Sequence, residues 1–296
     1  MLEINVLKAN TMEWKPVHPL VNLTIAYLRY VPDHFTKLRI VRGFLKLLSP
    51  EGILVENSMG ARLLINFNDY IAWSIINTGF YEGKSIELAA SLLKNGGVFL
   101  DIGANFGLWT CALGVLPQVK CLCVEPFAIN FLGLQRNLSL NPTIQHQLFN
   151  IALADFEGMI EMECTNSRNL GTARVVVSRE NSSALKHAVS TTTLNSLLKF
   201  SEVDTITLMK IDVEGYELPI LMGMDWQSNL RPKHIILEFV EFPDPLQHSE
   251  GKGRKDILKF MFDQGYQGQT IDGQELDLDK PCLEGNAYFR DMRCLK

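Results

Sequence analysis

The chain has 296 residues, of which 47 % are apolar and 21 % charged, and its formal net charge is −5. This length corresponds to one or two globular domains with a full hydrophobic core. This net negative charge argues against a nucleic-acid-binding protein, because such proteins typically carry an overall basic surface. Residues 1–50 differ, because they carry seven Lys or Arg against three Asp or Glu, which indicates a basic surface for a partner.

The sequence favours a cytoplasmic protein without a membrane span. Residues 1–5 have neither the basic start nor the apolar core of a signal peptide, and no apolar run reaches the ~18 residues that span a bilayer. None of the six histidines is spaced from the six cysteines as metal ligands would be. We therefore expect free, buried thiols.

The N-terminal third predicts helices around a hairpin. Apolar residues recur at helical spacing from Val21 to Leu48 with an interruption at Pro32, so two short helices are expected. Their interleaved basic residues fit a membrane surface, an acidic partner or a solvated face. From Ile53 to Asn68 the period falls to two around a turn at Met59-Gly60, which predicts a hairpin. Helical spacing resumes over 71–77 and 85–93.

A strand followed by a glycine turn comes next. The apolar run from Val98 to Ile102 contains Asp101 and leads into Gly103-Ala104-Asn105-Phe106-Gly107 and then a helical pattern. A dinucleotide site would read G-x-G-x-x-G, whereas here a carboxylate precedes the first glycine and would repel a pyrophosphate. It suits the amino group of S-adenosylmethionine. A plain strand-to-helix turn is the alternative.

A second acidic residue follows at the interval expected of a nucleotide-binding fold. The segment Val119–Val124 reads as a buried strand that ends in Glu125-Pro126, about 20 residues after the glycine turn. In such folds an acidic residue at this place binds the ribose hydroxyls. Pro126 ends the strand and precedes a helix over 128–139. An ordinary acidic loop residue is the alternative.

The remaining pattern alternates strands with helices. Strands are predicted at 147–153, 160–164, 207–211 and 234–239, with a helix at 193–200 among the intervening segments. This alternation indicates a doubly wound α/β sheet. Residues 168–190 are rich in Ser, Asn and charge without periodicity, so they are expected to form a long mobile excursion near the binding edge.

A third constellation occupies the end of the strand at 207–211. If the strand stays extended, alternation places Lys210, Asp212 and Glu214 on one side, at the carboxyl edge where α/β sheets bind ligands. The alternative is a structural ion pair of Lys210 with Asp212 or Glu238. Oxygen ligands from Asp212, Glu214 and Glu238 suit Mg²⁺, but no spacing in the sequence demonstrates a metal site.

Together these three signals resemble the FkbM family of S-adenosylmethionine-dependent methyltransferases. The resemblance covers about residues 60–240 and extends to four further segments: Asn68-Asp69-Tyr70, Gly79-Phe80-Tyr81-Glu82, Asn150-Ile151-Ala152-Leu153 and Thr192-Thr193-Leu194. Two positions depart from the family pattern. Asn195 stands where an aspartate is usual, and Phe239-Val240 stand where a histidine or similar residue is common, so no role is assigned to either position.

The resemblance implies a class I methyltransferase fold, which is a Rossmann-like α/β sheet of strand order 3-2-1-4-5-7-6. Residues 1–95 would form an N-terminal helical and hairpin extension with the entry segment, and residues 96–296 the domain that binds S-adenosylmethionine. The family usually methylates hydroxyls of sugars or secondary metabolites, so a small-molecule or glycan acceptor is expected.

The resemblance also implies which positions hold the cofactor. The residues transferred by position are Asp101, Gly103, Ala104, Asn105 and Gly107 for the methionine end, Glu125 and Pro126 for the ribose, Asn150 and Ala152 for the adenine rim, and Tyr81 and Glu82 over the methyl group.

Catalysis is expected to involve a carboxylate at the end of the fourth strand. Our hypothesis is that Asp212 or Glu214 takes the acceptor proton, that Lys210 steers or neutralises the pair, and that a neighbouring carboxylate raises the pKa of the base. The alternatives are a catalytically inactive binding partner in a biosynthetic complex and an N-methyltransferase. An NAD-linked dehydrogenase is disfavoured by the missing G-x-G-x-x-G. No basic and aromatic stripe for nucleic acid is present, and the oligomeric state stays open.

Overall fold

The computed structural model describes residues 12–66, 69–164, 173–175, 185–239, 253–279 and 285–295. Over these ranges the backbone forms one seven-stranded sheet and two smaller sheets. The strands are β1 (Lys15–Pro16), β2 (Ile53–Glu56), β3 (Arg62–Ile65), β4 (Gly97–Ile102), β5 (Val119–Val124), β6 (Gln145–Phe149), β7 (Ala152–Ala154), β8 (Gly158–Cys164), β9 (Ala173–Val175), β10 (Leu185–Thr193), β11 (Leu208–Ile211), β12 (His234–Phe239), β13 (Tyr266–Thr270) and β14 (Gly285–Asp291).

Helices precede, separate and follow these strands. They are α1 (Pro19–Tyr30), α2 (Lys37–Leu48), α3 (Tyr70–Thr78), α4 (Gly83–Leu92), α5 (Leu108–Gly114), α6 (Ala128–Ser139), α7 (Leu194–Phe200), α8 (Glu217–Met222) and α9 (Arg254–Asp263), with a final 3₁₀ turn at Met292–Leu295. The helices predicted on either side of Pro32 and at 71–77, 85–93, 128–139 and 193–200 are confirmed.

The central sheet has the strand order that the resemblance implies. From edge to edge it reads β13-β14-β12-β11-β4-β5-β6, which is 6-7-5-4-1-2-3 when its strands are numbered along the chain. All neighbours are parallel except β14, which runs antiparallel to both β12 and β13. The chain therefore has the class I methyltransferase topology, and its ligand-binding edge lies at the carboxyl ends of the parallel strands.

The N-terminal segment forms the predicted hairpin and packs on one face of the central sheet. β2 and β3 pair antiparallel, with β1 added at the β2 edge. The turn between them uses Gly60 at a φ of +83°, a conformation that glycine adopts without strain. α1, α2 and α3 share one hydrophobic cluster with Phe99 of β4, whereas Leu100 and Ile102 belong to a cluster on the opposite face. Successive side chains of β4 therefore point to opposite faces of the sheet and pack against a different layer on each face.

Two expectations for residues 147–190 are wrong in part. The strand predicted over 147–153 is two strands, because the chain leaves the central sheet after Phe149 and Ala152–Ala154 pairs with β10 instead. The Asn150 side chain, which donates to the carbonyls of Glu125 and Pro126, lies at this break. The excursion predicted over 168–190 contributes β9 and the first part of β10, which pair with β8. The rest of that segment lies outside the described residues.

Candidate active site

A cavity opens at the carboxyl edge of the central sheet. It has a volume of about 270 Å³ and is bounded by the loops after β4, β5 and β11, by the segment between α3 and α4, and by β7 and β8. The sequence-predicted residues that line it are Tyr81, Glu82, Gly103, Ala104, Asn105, Glu125, Pro126, Ala152, Lys210, Asp212 and Glu214. Three other predicted residues, Asp101, Gly107 and Asn150, are not part of its lining.

The glycine turn forms the floor of this cavity. Gly103 has a φ of +79°, and a Cβ placed on it would lie 1.9 Å from the carbonyl oxygen of Asp212. This distance is far inside van der Waals contact, so the turn after β4 and the segment after β11 approach each other only because residue 103 has no side chain. Asn105 also has a positive φ, of 51°, and its backbone N–H donates to Oε2 of Glu125 at 2.8 Å.

Glu125 connects the glycine turn to the loop after β5. Its second oxygen accepts from the amide of Phe127 at 2.8 Å, and Asn130 also hydrogen-bonds its side chain. Burial raises the pKa of Glu125 to about 7, against the lowering effect of these hydrogen bonds. The carboxyl group is therefore fixed in one orientation at the cavity wall.

One end of the cavity is apolar. Ala152, Leu153, Ile160 and Met162, from β7 and β8, lie there beside Pro126. The predicted adenine-rim residue Asn150 lies instead at a neighbouring cavity formed with Phe127, Ala128 and His187. β7 and β8 belong to the four-stranded sheet β7-β10-β8-β9. This sheet, which the sequence did not predict, therefore supplies much of the apolar wall of the cavity.

The other end of the cavity is crowded with charge. The ammonium of Lys210 donates to Oδ2 of Asp212 at 2.8 Å and lies 5.2 Å from the centroid of the Trp109 ring. Burial alone would lower the pKa of Lys210, but the carboxylates of Asp212, Glu82 and Asp101 outweigh it and raise that pKa. Lys210 is thus a permanent buried cation.

Asp212 and Glu238 are coupled through a hydrogen bond. Burial would raise the pKa of Asp212, but Lys210 and the hydrogen bond from Glu238 lower it overall. Burial and the adjacent Asp212 carboxylate raise the pKa of Glu238 to about 10. The expectation that a neighbouring carboxylate raises the pKa of Asp212 is therefore wrong, because Lys210 assigns the proton of the pair to Glu238.

Glu82 is held rigidly above this charged group. It precedes α4 with a φ of +50°, and its oxygens accept from Nε1 of Trp109 at 2.8 Å and from Nδ2 of Asn286 at 2.5 Å. Asn286 belongs to β14, which pairs with β13 as the C-terminal hairpin. This hairpin therefore helps to orient Glu82. Burial first, and then the charge of Glu82, raise the pKa of the neighbouring Tyr81.

Asp101 lies beneath the glycine turn and not at the cavity surface. It is fully buried, and its Oδ2 accepts from the hydroxyl of Thr110 at 2.6 Å, while Oδ1 has no hydrogen-bond partner among the described residues. Burial raises its pKa, against the opposing charge of Lys210. Gly107 likewise faces the protein interior, because a Cβ there would lie 2.7 Å from Cδ1 of Leu134.

The alternation predicted for Lys210, Asp212 and Glu214 fails after β11. The strand ends at Ile211, and Glu214 has a φ of +56°, so the three side chains do not follow one extended strand. All three nevertheless line the cavity, because the backbone turns back towards Gly103 after Ile211.

Sequence reasoning missed several residues of the cavity. Trp109, Asn130 and Tyr216 line it, and Asn286 supports it through Glu82. Trp109 is the second residue of α5 and lies two positions after Gly107, so its closeness to the glycine turn could have indicated it. Asn286 lies far along the chain in an antiparallel strand, and no local motif marks it.

Three expectations concerned metal ligands, cysteines and membrane spans. Within the described residues, no group of three or more His, Cys, Asp or Glu side chains is arranged to hold a metal ion. Cys111, Cys121 and Cys123 are free and buried as expected, whereas Cys294 is free but exposed, so the expectation of buried thiols is wrong at that position. Across the same ranges, no helix has the length and apolar character needed to cross a membrane.

Comparison with known proteins adds a family match to this geometry. Residues 101–267 match the model of the methyltransferase FkbM domain. A curated relative, the AMB antimetabolite synthetase AmbE of Pseudomonas aeruginosa, is 23 % identical over 233 residues. That alignment covers 67 % of this chain and 11 % of the synthetase, so this chain spans about a tenth of the length of that relative.

Solved structures with similar folds are distant in sequence. An O-methyltransferase from Bacillus cereus, crystallised with S-adenosylhomocysteine, is 12 % identical with a TM-score of 0.40, and the match covers 90 % of this chain and 94 % of that one. A precorrin-6y C5,15-methyltransferase from Geobacter metallireducens is 14 % identical with a TM-score of 0.38, covering 70 % and 85 %.

Proposed function

This chain belongs to the FkbM methyltransferase domain family, and we propose that it is an S-adenosylmethionine-dependent methyltransferase that methylates a hydroxyl oxygen of a sugar, glycan or secondary metabolite. One observation carries the proposal: a single cavity joins the fixed carboxyl group of Glu125 to the Lys210–Asp212–Glu238 cluster. The first suits the diol of the donor, and the second can bind and deprotonate an alcohol.

The cavity residues fit the methyl donor in three places. The turn at Gly103 would receive the amino-acid end, Glu125 would bind the ribose hydroxyls, and the apolar wall around Met162 suits the adenine ring. Tyr81 and Glu82 would lie over the methyl group. When bound, the donor supplies an activated methyl group on a positively charged sulfur.

Asp101 and Gly107 are proposed to act from beneath the site. The buried carboxyl of Asp101 lies close enough to Lys210 to affect its pKa, and it would stabilise the turn and the positive charge of the donor amine through the field inside the protein. Gly107 allows α5 to begin against Leu134. Asn150 is proposed to hold the loop of Glu125 and Pro126 through its two carbonyl contacts, and thereby to shape the adenine rim.

The reaction forms one bond and breaks another. Bound S-adenosylmethionine would supply a methyl group to the acceptor oxygen in line, with the electron pair of the carbon–sulfur bond passing to sulfur and the alcohol proton leaving the oxygen. Much of the rate then comes from holding oxygen and carbon about 3 to 3.5 Å apart in alignment. Tyr81, Trp109 and Tyr216 line the cavity and would help to hold the two atoms in this alignment.

Asp212 is proposed to receive the proton. Its lowered pKa keeps it ionised at neutral pH, and the alcohol proton becomes strongly acidic as the new carbon–oxygen bond forms, so a weak base suffices late in the step. Glu238, with a pKa of about 10, is already protonated and cannot serve. Lys210 would stabilise the Asp212 carboxylate before transfer. Glu214 is the second candidate for the base because it lines the same cavity.

The experiment is methyl transfer from labelled S-adenosylmethionine to a panel of glycans, hydroxylated metabolites and amines, with cofactor affinity measured separately by calorimetry. We expect calorimetric binding and a labelled product whose methyl group is on oxygen. Binding without product on any acceptor would favour the inactive partner, and label on nitrogen would favour the N-methyltransferase.

A further inference from the structure

The exposed apolar side chains of this protein are concentrated on α1, α2 and their connection. In the described part of the chain, nine of the seventeen exposed large apolar side chains lie between residues 17 and 47. Soluble surfaces usually present such side chains singly, and a concentration of them indicates an interaction site. This surface lies outside the cavity and plays no part in the proposed chemistry.

Each of the two helices has a second apolar face besides its buried one. On α1, Val21, Ile25 and Leu28 are buried, while Leu20, Leu23 and Tyr30 are exposed at spacings of three and seven residues. These spacings place the exposed side chains on one face of the helix.

The second helix repeats this arrangement. Val41 and Leu45 of α2 are buried, while Ile40, Phe44 and Leu47 are exposed at spacings of four and three residues. Phe35, in the connection between the helices, is fully exposed. The two faces and the connection together form one exposed apolar surface.

The same region is basic in an otherwise acidic protein. Residues 1–50 carry seven Lys or Arg against three Asp or Glu, whereas the rest of the chain carries 21 against 30. Lys37 forms an ion pair with Asp33, and Arg42 stacks on Trp73. Arg39 and Lys46 are exposed on α2. An anionic surface would therefore attract this region and repel the remainder of the molecule.

We infer that α1, α2 and their connection dock on an anionic lipid surface. Leu, Phe and Tyr side chains would enter the boundary between headgroups and acyl chains, and Arg39 and Lys46 would meet the lipid phosphates, as in interfacial amphipathic helices. Charge argues against a second copy of this chain at this face, since dimerisation would bring two basic regions together.

The test is co-sedimentation of the full chain with phosphatidylcholine vesicles, with and without phosphatidylglycerol. Leu47→Gln is compared with Phe200→Gln, since both side chains are 77 % exposed and Phe200 lies at the end of α7. Arg39→Gln/Lys46→Gln tests the charge. Thermal unfolding verifies that each variant is folded.

We expect binding only to vesicles with phosphatidylglycerol, a loss of about tenfold or more for Leu47→Gln and for the charge variant, and no change for Phe200→Gln. Binding should also weaken with salt. No sedimentation, or equal loss in Leu47→Gln and Phe200→Gln, overturns the inference. A dimer in the absence of lipid that Leu47→Gln abolishes would also overturn it and assign the surface to a second copy.

Discussion

Asp212 and Glu238 are hydrogen-bonded at the carboxyl ends of the adjacent strands β11 and β12, and one proton is held between them. Lys210, at 2.8 Å from Asp212, decides which partner keeps that proton. The result is an ionised Asp212 beside a protonated Glu238 at neutral pH. This asymmetry has consequences for stability and for catalysis that can be measured separately.

The stability of the protein should depend on pH through Glu238. Its folded pKa of about 10 lies far above the ordinary value of 4.5, so above pH ~4.5 the folded state holds a proton that the unfolded chain has lost. Stability from this group therefore falls as pH rises towards 10, by at most about 1.4 kcal/mol per pH unit. The free energy of unfolding, measured by denaturant titration from pH 6 to 9.5, should fall less steeply in Glu238→Gln than in the wild type.

Glu87→Gln is the matched control, because Glu87 is partly buried on α4 and does not line the cavity. It should show the wild-type slope. Identical slopes in the wild type and Glu238→Gln would mean that Glu238 is not protonated in the folded state.

Asp212→Asn should reduce methyl transfer once the acceptor is known. Loss of a positioned base typically lowers the rate by about 10² to 10⁴, whereas cofactor affinity should change little if Asp212 acts on the acceptor. The substitution also removes the anionic partner of buried Lys210, so thermal unfolding must accompany the rate measurement. Unchanged turnover would remove Asp212 from the base role, and the same experiment on Glu214→Gln would then test the second candidate.

The sequence located most of the candidate site but not how its parts work. Motif spacing predicted Glu125 and Asp212 at one edge, because the carboxyl ends of parallel strands meet there. It could not predict that Asp101 lies fully buried beneath the turn, because that depends on side-chain direction. It also could not predict that Glu82 is oriented by Asn286, which lies more than 200 residues along the chain.

The fold was predictable where one element follows another locally. The strand at Val119–Val124 and the helix at Ala128–Ser139 have the boundaries that periodicity and Pro126 predict. The strands β13 and β14 and the sheet containing β7 and β10 were not predictable from local pattern, because non-local pairing decides whether a short, partly polar segment forms a strand.

Gly103→Ala should abolish tight cofactor binding. The added Cβ would lie 1.9 Å from the carbonyl oxygen of Asp212, so the turn after β4 must move away from the segment after β11. We expect at least a tenfold loss of affinity for S-adenosylhomocysteine by calorimetry. Gly60→Ala is the control, since Gly60 has a similar φ of +83° with no atom within 4 Å of the added Cβ. It should cost only the backbone strain, about 1 kcal/mol, and leave affinity intact. Equal affinity losses in the two variants would contradict the steric argument.

Cofactor binding should change the fluorescence of Trp109. Its ring lines the cavity, and Lys210 lies 5.2 Å from its centroid, so a bound ligand changes the solvent and the charge around the indole. Titration with S-adenosylhomocysteine should give a signal that disappears in Trp109→Phe and persists in Trp226→Phe, because Trp226 packs against Phe260 and Tyr266 away from the cavity. A signal that persists in Trp109→Phe while calorimetric affinity is retained would place the ligand elsewhere.

The pair Arg231–Asp291 should matter to stability alone. Two hydrogen bonds, at 2.5 and 3.0 Å, join these buried side chains, and the guanidinium lies 4.2 Å from the centroid of the Tyr266 ring. Arg231 also donates to the carbonyl of Gln264, so the pair connects the segment before β12 with both strands of the C-terminal hairpin. Removing Asp291 leaves the buried charge of Arg231 without a carboxylate partner, which typically costs about 3 to 5 kcal/mol. Removing Arg231 costs less, because Asp291 keeps the backbone N–H and the guanidinium of Arg293 as partners.

Asp291→Leu should therefore lower the free energy of unfolding by about that amount, Arg231→Met by less, and the double variant by clearly less than the sum, because it leaves no buried charge unpaired. Denaturant titration of the wild type and the three variants completes the cycle. Cofactor affinity should be unchanged in every variant that stays folded, since neither residue lines the cavity. Additive losses would show that the two charges do not stabilise each other, and the stacking of Arg231 on Tyr266 and Trp226 would then account for its contribution.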